Sequence, residues 1–235
     1  VKVYLDAYQQ IVTSGGQRYP DVEEAIDQNI HKGALIFNYV GHGGETGLTL
    51  ERALTYAMIE DWTNIDRLTV FISATCEFSR FDDPQRTSGG EFTFLNPDGG
   101  GIALLTTTRL VYSSPNKELA DTFFDHVFNK VNGEYPTLGD LLKLSKDPNN
   151  INNANGVNYR NFALLGDPGI RLAYPDYQVM TTSVPDTLKA LEKVTITGYV
   201  ADANGQKLSS FNGLVYPTVF DSPREIETLN NDNAG

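Results

Sequence analysis

His42 and Cys76 are the residues whose types and spacing point most directly to chemistry. Cys76 is the single cysteine of the chain, and His42 lies 34 residues before it. A thiol at its ordinary pKa of about 8.5 is a poor nucleophile at neutral pH, but a cationic neighbour lowers that pKa and an imidazole can protonate a departing amine. If the two side chains meet, they can perform nucleophilic catalysis.

Each residue taken alone also has a purely structural explanation. A lone cysteine at a strand end is most often a small buried apolar residue, and a histidine between glycines is often the polar tip of a turn. Zinc is not expected, because His31 and His126 fall in predicted helices remote from this pair and zinc needs three or four ligands. The joint placement of the thiol and the imidazole is what favours catalysis.

Gly43 is the third residue that we assign to catalysis. Without a side chain, its backbone N–H can approach a substrate carbonyl, so Gly43 is predicted to donate to an oxyanion. Glu45 and Glu77 flank the pair, where a carboxylate is more often solvated or paired with a nearby arginine than involved in tuning the pair.

The elements that position these residues alternate between strand and helix. Three apolar runs, Ala34–Val40, Leu68–Ala74 and Gly101–Thr107, are predicted as strands buried on both faces. Helical patterns separate them, which favours a parallel α/β sheet covered by helices. Because the carboxyl ends of parallel strands share one edge, the loops that carry His42 and Cys76 should meet there.

Further segments extend the alternation. The helical patterns cover residues 22–30, 48–60, 118–131 and 138–145. A short buried strand is predicted over Phe162–Leu165, after an asparagine-rich loop over Asn149–Asn158. We therefore predict one α/β domain over residues 1–175.

The last quarter of the chain is richer in Thr, Val and Ser with period-two patterns. Strand patterns lie at Lys193–Val200 and Gly213–Phe220, with a turn at Ala203-Asn204-Gly205 between them. These patterns predict that residues 176–235 are the start of an immunoglobulin-like all-β sandwich that is cut short.

Composition excludes several classes of function. The chain has 235 residues, 40% hydrophobic and 20% charged, which is typical of a globular protein and not of a disordered or fibrous one. Its net charge of −12, without a Lys or Arg cluster, argues against nucleic acid as a partner. No apolar run is long enough to span a membrane, and a start without Met or a signal pattern indicates a fragment of a longer protein.

Four segments resemble motifs of a known peptidase family. They are Asn38–Thr46, Ala74–Asp82, Thr106–Arg109 and Leu165–Pro168. The first looks like the His loop of the gingipain-type cysteine peptidases (family C25), the second like their Cys loop, and the last like their final strand. The second and third together resemble the cell-surface sortase of the type IX secretion system. The resemblance covers about residues 1–180.

The resemblance implies a caspase-like fold and a cysteine endopeptidase. Strands before residue 1 would complete the sheet and an acidic residue there would orient His42, so the chain by itself could be inactive. The enzyme would remove the C-terminal sorting domain of secreted cargo through a Cys76 thioester, with His42 as acid and base. Water or an amine of anionic lipopolysaccharide would capture the thioester. The implied partners are that cargo and other type IX secretion components, at the outer-membrane cell surface.

The resemblance also suggests where substrate binds. Thr107, Thr108 and Arg109 follow the third strand, where the family has a wall of its specificity pocket, and Glu45 is assigned to substrate binding with them; a solvated Arg109 is an equal alternative. No cofactor is predicted. Calcium, as in relatives, is an option for one loop, where a surface salt-bridge cluster is the default expectation. That loop holds Arg80, Asp82, Asp83 and Arg86.

Two other functions compete with the peptidase. A caspase-like scaffold with an appended β-sandwich would recognise secreted cargo without cleaving it, and its Cys76 would then be unreactive. An unrelated thiol hydrolase acting on small amides would need a closed deep pocket and not an open cleft.

Overall fold

The computed structural model describes residues 1–147, 149, 156–189, 191–215, 217, 219–220, 225, 227–229 and 231. The chain divides into two compact units. One contains Val1–Leu172 together with the described residues after Glu225, and the other contains Ala173–Glu225. In the first unit the Leu229 amide donates to the Asp6 carbonyl at 2.8 Å.

The first unit has nine strands and six helices among its described residues. In chain order they are β1 (Ile11–Thr13), β2 (Gly16–Arg18), α1 (Pro20–Lys32), β3 (Ile36–Val40), β4 (Gly43–Gly44), β5 (Gly47–Leu48), β6 (Leu54–Thr55), α2 (Tyr56–Glu60), β7 (Thr69–Ala74), α3 (Gly89–Leu95), β8 (Gly101–Thr107), α4 (Ser113–Val127), α5 (Leu138–Ser145), α6 (Val157–Asn161) and β9 (Phe162–Leu165). Short 3₁₀ helices cover Leu5–Ala7 and Ile65–Arg67.

A four-stranded sheet in the order β3, β7, β8, β9 forms the centre of this unit. The pairs β3/β7 and β7/β8 are parallel, and the strands predicted at β7 and β8 are buried as expected. The pair β8/β9 is antiparallel, which departs from a fully parallel sheet. Three helices lie among the described residues between β8 and β9, and the chain returns to the sheet at its carboxyl edge, where Phe162 pairs with Thr107.

The prediction that the Ala34–Val40 strand is buried on both faces is wrong. β3 is the edge strand of the four-stranded sheet, and Val40 is 54% exposed. Its apolar pattern reflects one-sided packing, because Phe37 and Tyr39 contact the main hydrophobic cluster. A groove of about 530 Å³ runs beside β3 and is lined by residues of α1 and α4, among others.

The helix predicted over residues 48–60 is only partly confirmed. It forms over α2, while the preceding residues build the small antiparallel sheet β4-β5-β6. Thr49 and Arg52 have φ values of 63° and 58°, and two residues in the left-handed region turn the chain where a helix would continue it. The other three helical patterns correspond to α1, α4 and α5.

The main hydrophobic cluster joins side chains of the central sheet to side chains of α1 and α2. Trp62 and Phe71 are fully buried and stack with their ring centroids 5.8 Å apart. The Trp62 indole N–H donates to Asp27 Oδ1 at 3.1 Å, which joins α1 to the segment after α2. α3 begins at a capping box in which Ser88 and Glu91 each accept from the other's backbone N–H.

The second unit contains an antiparallel pair, β10 (Gln178–Ser183) and β11 (Thr197–Ala201). The predicted turn is confirmed by the Gly205 amide, which donates to the Asp202 carbonyl at 3.0 Å. The strand predicted over Gly213–Phe220 is not formed by the described residues of that stretch; Tyr216 and Thr218 lie outside the described residues. The immunoglobulin-like sandwich therefore stays a prediction.

Two further sequence expectations concern single segments. The loop predicted over Asn149–Asn158 lies largely outside the described residues, and its last two residues begin α6. Where the chain is described, no helix is both long enough and apolar enough to span a membrane.

Candidate active site

The pairing of β3 with β7 brings the histidine loop and the cysteine loop to one edge of the sheet. Val40 pairs with Ala74, the last residue of β7, and the Gly41 amide continues the ladder by donating to the Ala74 carbonyl at 3.4 Å. His42 and Cys76 each lie two residues beyond this pair. Neighbouring strands are about 4.8 Å apart, so the two loops leave the sheet side by side at this edge.

The backbone of His42 is fixed by two hydrogen bonds. Its carbonyl accepts from the Tyr39 hydroxyl at 2.5 Å and from the Thr49 amide at 2.8 Å. A Cβ at Gly41 would lie 2.5 Å from the Tyr39 hydroxyl oxygen, so a side chain there would displace this hydroxyl. Burial raises the pKa of Tyr39 to about 12, which keeps the phenol protonated as a donor at neutral pH. The His42 side chain itself is exposed.

The backbone N–H of Gly43 does not form a hydrogen bond with the neighbouring strand β5. Because the Thr49 amide bonds to the His42 carbonyl, residue 43 and its partner Leu48 form a non-hydrogen-bonded pair. The Gly43 N–H is therefore directed away from β5. A Cβ at Gly43 would lie 2.8 Å from Thr75 Oγ1, so the two loops are in contact at this glycine.

Cys76 lies on a sharp turn at the end of β7. The residue that follows, Glu77, has a φ of 52°, a left-handed conformation that costs a non-glycine residue about 1–2 kcal/mol. The Glu77 amide donates to the Arg109 carbonyl at 3.3 Å, and Cys76 Sγ donates to the Val111 carbonyl at 3.6 Å. The half-buried thiol thus faces the segment that follows β8.

Buried hydroxyl groups of β7, β8 and the cysteine loop form hydrogen bonds next to this turn. Thr107 is fully buried and its hydroxyl donates to the Thr75 carbonyl. Thr106 Oγ1 accepts from the hydroxyls of Ser73 at 2.7 Å and Ser79 at 2.9 Å. Among the described residues, Thr75 Oγ1 is buried without a hydrogen-bond partner. The Thr107 side chain holds the Cys76 turn, and its contact with substrate stays a prediction.

Glu45 is paired with arginine, as the sequence suggested for carboxylates in this region. Its carboxylate accepts from Arg80 at 2.9 Å and from Arg86 at 3.3 Å, and its side chain is 10% exposed. Arg80 Nη1 also lies 3.7 Å from Glu77 Oε1. The loop after Cys76 thus forms ion pairs as expected, but Arg80 and Arg86 pair with Glu45 and Glu77 and not with that loop's own Asp82 and Asp83.

Thr108 and Arg109 extend from the end of β8 on the same edge. The amide and hydroxyl of Thr108 both donate to the Asn161 carbonyl, at 2.9 and 3.2 Å. Arg109 forms a two-pronged ion pair with Asp82, and the guanidinium holds the pKa of that carboxyl below its ordinary value. In the part of the chain that the structure describes, no three His, Cys, Asp or Glu residues are arranged to hold a metal.

Asn158 is a supporting residue that the sequence did not reveal. It is buried, its Oδ1 accepts from the Tyr112 amide at 2.9 Å, and its Nδ2 donates to the Tyr112 carbonyl at 2.7 Å. Asn161 donates to the Leu110 carbonyl at 2.8 Å. These bonds fix the segment next to Cys76. Within a run of asparagines, nothing in the pattern distinguishes the buried one.

The profile of peptidase family C25 matches residues 1–173. The chain belongs to this family. Three solved structures have a similar fold. The first is described as a protease and has 16% sequence identity and a TM-score of 0.55. The second is the Arg-specific cysteine proteinase gingipain R (RgpB), with 18% identity and a TM-score of 0.57, and the third is the complex of the pro- and mature domains of Porphyromonas gingivalis RgpB, with 16% identity and a TM-score of 0.53. This similarity confirms the α/β fold class that the sequence predicted.

The chain spans about two fifths of the lengths of these three structures. The alignments cover 73%, 68% and 68% of this chain and 43%, 39% and 40% of the others, in the same order. No curated protein matches the chain.

Proposed function

We propose that this chain carries the nucleophile and the base of a cysteine peptidase. The observation that supports this most is the register of the sheet in a member of family C25. Val40 pairs with Ala74, and His42 and Cys76 each follow two residues after this pair. The Gly43 N–H, directed away from its own ladder, is suited to an oxyanion.

The reaction divides amide cleavage into two steps. His42 takes the Cys76 proton, the sulfur attacks the peptide carbonyl carbon, and the carbonyl oxygen becomes an oxyanion opposite the Gly43 N–H. When the C–N bond breaks, the imidazolium gives its proton to the leaving amine and a thioester remains on Cys76. A water molecule or an amine, deprotonated by the imidazole, then attacks the thioester carbon. The C–S bond breaks, the acyl group leaves as an acid or an amide, and the imidazolium returns the proton to the sulfur.

Within this activity, we propose the role of a sortase for secreted cargo. The resemblance of Ala74–Asp82 and Thr106–Arg109 to the type IX secretion sortase supports it. The substrate is then a C-terminal sorting domain, the acceptor is water or a lipopolysaccharide amine, and the protein works at the outer-membrane surface with other secretion components. Arg109, Thr108 and Thr107 are the proposed substrate-binding residues, whereas the Glu45 carboxylate, which the sequence placed with them, is paired with Arg80 and Arg86.

The test is replacement of Cys76 by Ala in the intact protein. Cargo should keep its C-terminal domain in cells that carry the variant, and a peptide spanning the cleavage site should remain uncut. The variant Cys76→Ser controls for the shape of the side chain and should also be inactive, because an alcohol is a far weaker nucleophile than a thiolate. Normal processing by either variant would show that Cys76 is not the nucleophile.

A further inference from the structure

The side chain of Glu45 joins the loop that carries the base to the loop that carries the nucleophile. Glu45 lies three residues after His42, and Arg80 lies four residues after Cys76. Glu45 Oε1 accepts from Arg80 Nη1 at 2.9 Å, and Arg86 bonds to the other carboxylate oxygen at 3.3 Å. The ion pair therefore bridges the two loops.

This carboxylate is enclosed and fully engaged. The Glu45 side chain is 10% exposed, whereas those of Arg80 and Arg86 are 38% and 57% exposed. A charge removed from water in this way is retained only when it is paired and hydrogen-bonded. The carboxylate has its charge balanced within the protein and does not depend on substrate for a partner.

The backbone of Glu45 has separate anchors. Its carbonyl accepts from the Tyr56 hydroxyl at 2.5 Å and from the Gly89 amide at 2.7 Å. Neither bond uses the carboxylate, so we expect both to persist when only the side chain is changed. A substitution of the carboxylate thus tests the link between the loops and leaves the main-chain course of the loop in place.

We propose that Glu45, acting through Arg80, is a positioning residue that fixes the distance between His42 and Cys76. This role rests on the proposed function and differs from the substrate contact that the sequence suggested for Glu45. A displacement of 1 Å between reacting groups can lower a rate by about 10²-fold. Loss of the Glu45–Arg80 ion pair should therefore slow the chemical step, while substrate affinity stays unchanged because neither residue contacts substrate.

The experiment compares Glu45→Gln and Arg80→Ala with the matched control Arg86→Ala in the intact protein. Arg86 bonds to the same carboxylate but lies farther along the chain from Cys76. The readouts are kcat and KM on a peptide substrate and the rate of iodoacetamide alkylation of Cys76 at neutral pH. Because trypsin cuts after Arg67 and Arg80, the peptide that contains Cys76 is separable for mass spectrometry; in Arg80→Ala it is longer by the residues up to Arg86.

Glu45→Gln and Arg80→Ala should each lower kcat by about 10- to 100-fold with KM nearly unchanged. Alkylation should fall to the rate of a His42→Ala variant, and Arg86→Ala should behave like the wild type. Because the two residues act as one pair, the double variant should be no worse than the poorer single one. If Glu45→Gln does not fold, Arg80→Lys, which keeps the charge but loses the guanidinium geometry, provides the comparison.

A rise in KM with kcat and alkylation unchanged would assign Glu45 to substrate contact and overturn the positioning role. Equal losses in Arg80→Ala and Arg86→Ala would also overturn it, because the effect would then follow the charge and not the bridge. Failure of the proposed function has a different signature: alkylation of Cys76 in the wild type would not depend on His42 at all.

Discussion

Gly43 packs directly against Thr75, and a Cβ at position 43 would lie 2.8 Å from the Thr75 hydroxyl oxygen. Since Gly43 follows His42 and Thr75 precedes Cys76, this contact sets how closely the two loops approach. The absence of a side chain at Gly43 therefore matters for geometry as well as for access to the N–H.

Gly43→Ala should lower kcat by about 10²- to 10³-fold, because the loops must separate and the oxyanion donor moves with them. Overpacking of this kind costs about 1–3 kcal/mol of stability, which denaturant unfolding can measure.

Gly44→Ala is the matched control for this substitution. A Cβ at Gly44 meets nothing within 4 Å, and its φ is not in the left-handed range. Activity and stability should both stay close to those of the wild type. If the two alanine variants behave alike, the contact with Thr75 does not govern the site.

Tyr39→Phe should weaken the His42 loop. It removes the hydrogen bond to the His42 carbonyl, a loss of about 1 kcal/mol in the free energy of unfolding, and should lower kcat by about tenfold. A variant with unchanged kcat would show that Thr49 alone holds this carbonyl in place.

The same residue predicts an alkaline dependence of stability. The pKa of Tyr39 is about 12 in the folded state against an ordinary value of 10, so the folded state holds this proton more tightly. The resulting stability is fully present below pH 10 and is lost as the pH rises towards 12. Unfolding curves should therefore show a smaller decline over this range for Tyr39→Phe than for the wild type.

Arg109→Ala tests the proposed wall of the substrate site. Arg109 and Asp82 are both largely exposed, so their ion pair contributes little to stability and the melting temperature should not change. If Arg109 contacts substrate, KM rises several-fold while kcat stays near the wild-type value. Asp82→Asn, which leaves Arg109 in place, is the control. An unchanged KM in Arg109→Ala would remove Arg109 from the substrate site.

The sequence predicted the buried strands well and the edge poorly. Every residue of β7 is buried, and a continuous apolar run shows this directly. β3 has a similar run, but whether a strand has one neighbour or two depends on tertiary pairing that its own residues do not encode. Likewise, the spacing over residues 48–60 fits a helix. In the structure the first half of this stretch instead forms short strands, because Thr49 and Arg52 adopt left-handed conformations.

The site was predictable to the extent that it depends on strand ends. His42, Gly43 and Cys76 follow apolar runs, so topology alone brings them to one edge. The groups that hold them are joined by contacts between distant parts of the chain, such as the bond of Asn158 to Tyr112, 46 residues away. Such contacts leave no periodic signal in the sequence.

Alkylation of Cys76 by iodoacetamide, followed from about pH 5.5 to 9.5 in the intact protein and in its His42→Ala variant, decides whether the thiol and the imidazole act together. We predict that the wild type reacts at least about tenfold faster than the variant near pH 6.5, and that the two rates converge above about pH 9. Identical profiles, both rising as for an isolated thiol, would contradict the paired nucleophile and base.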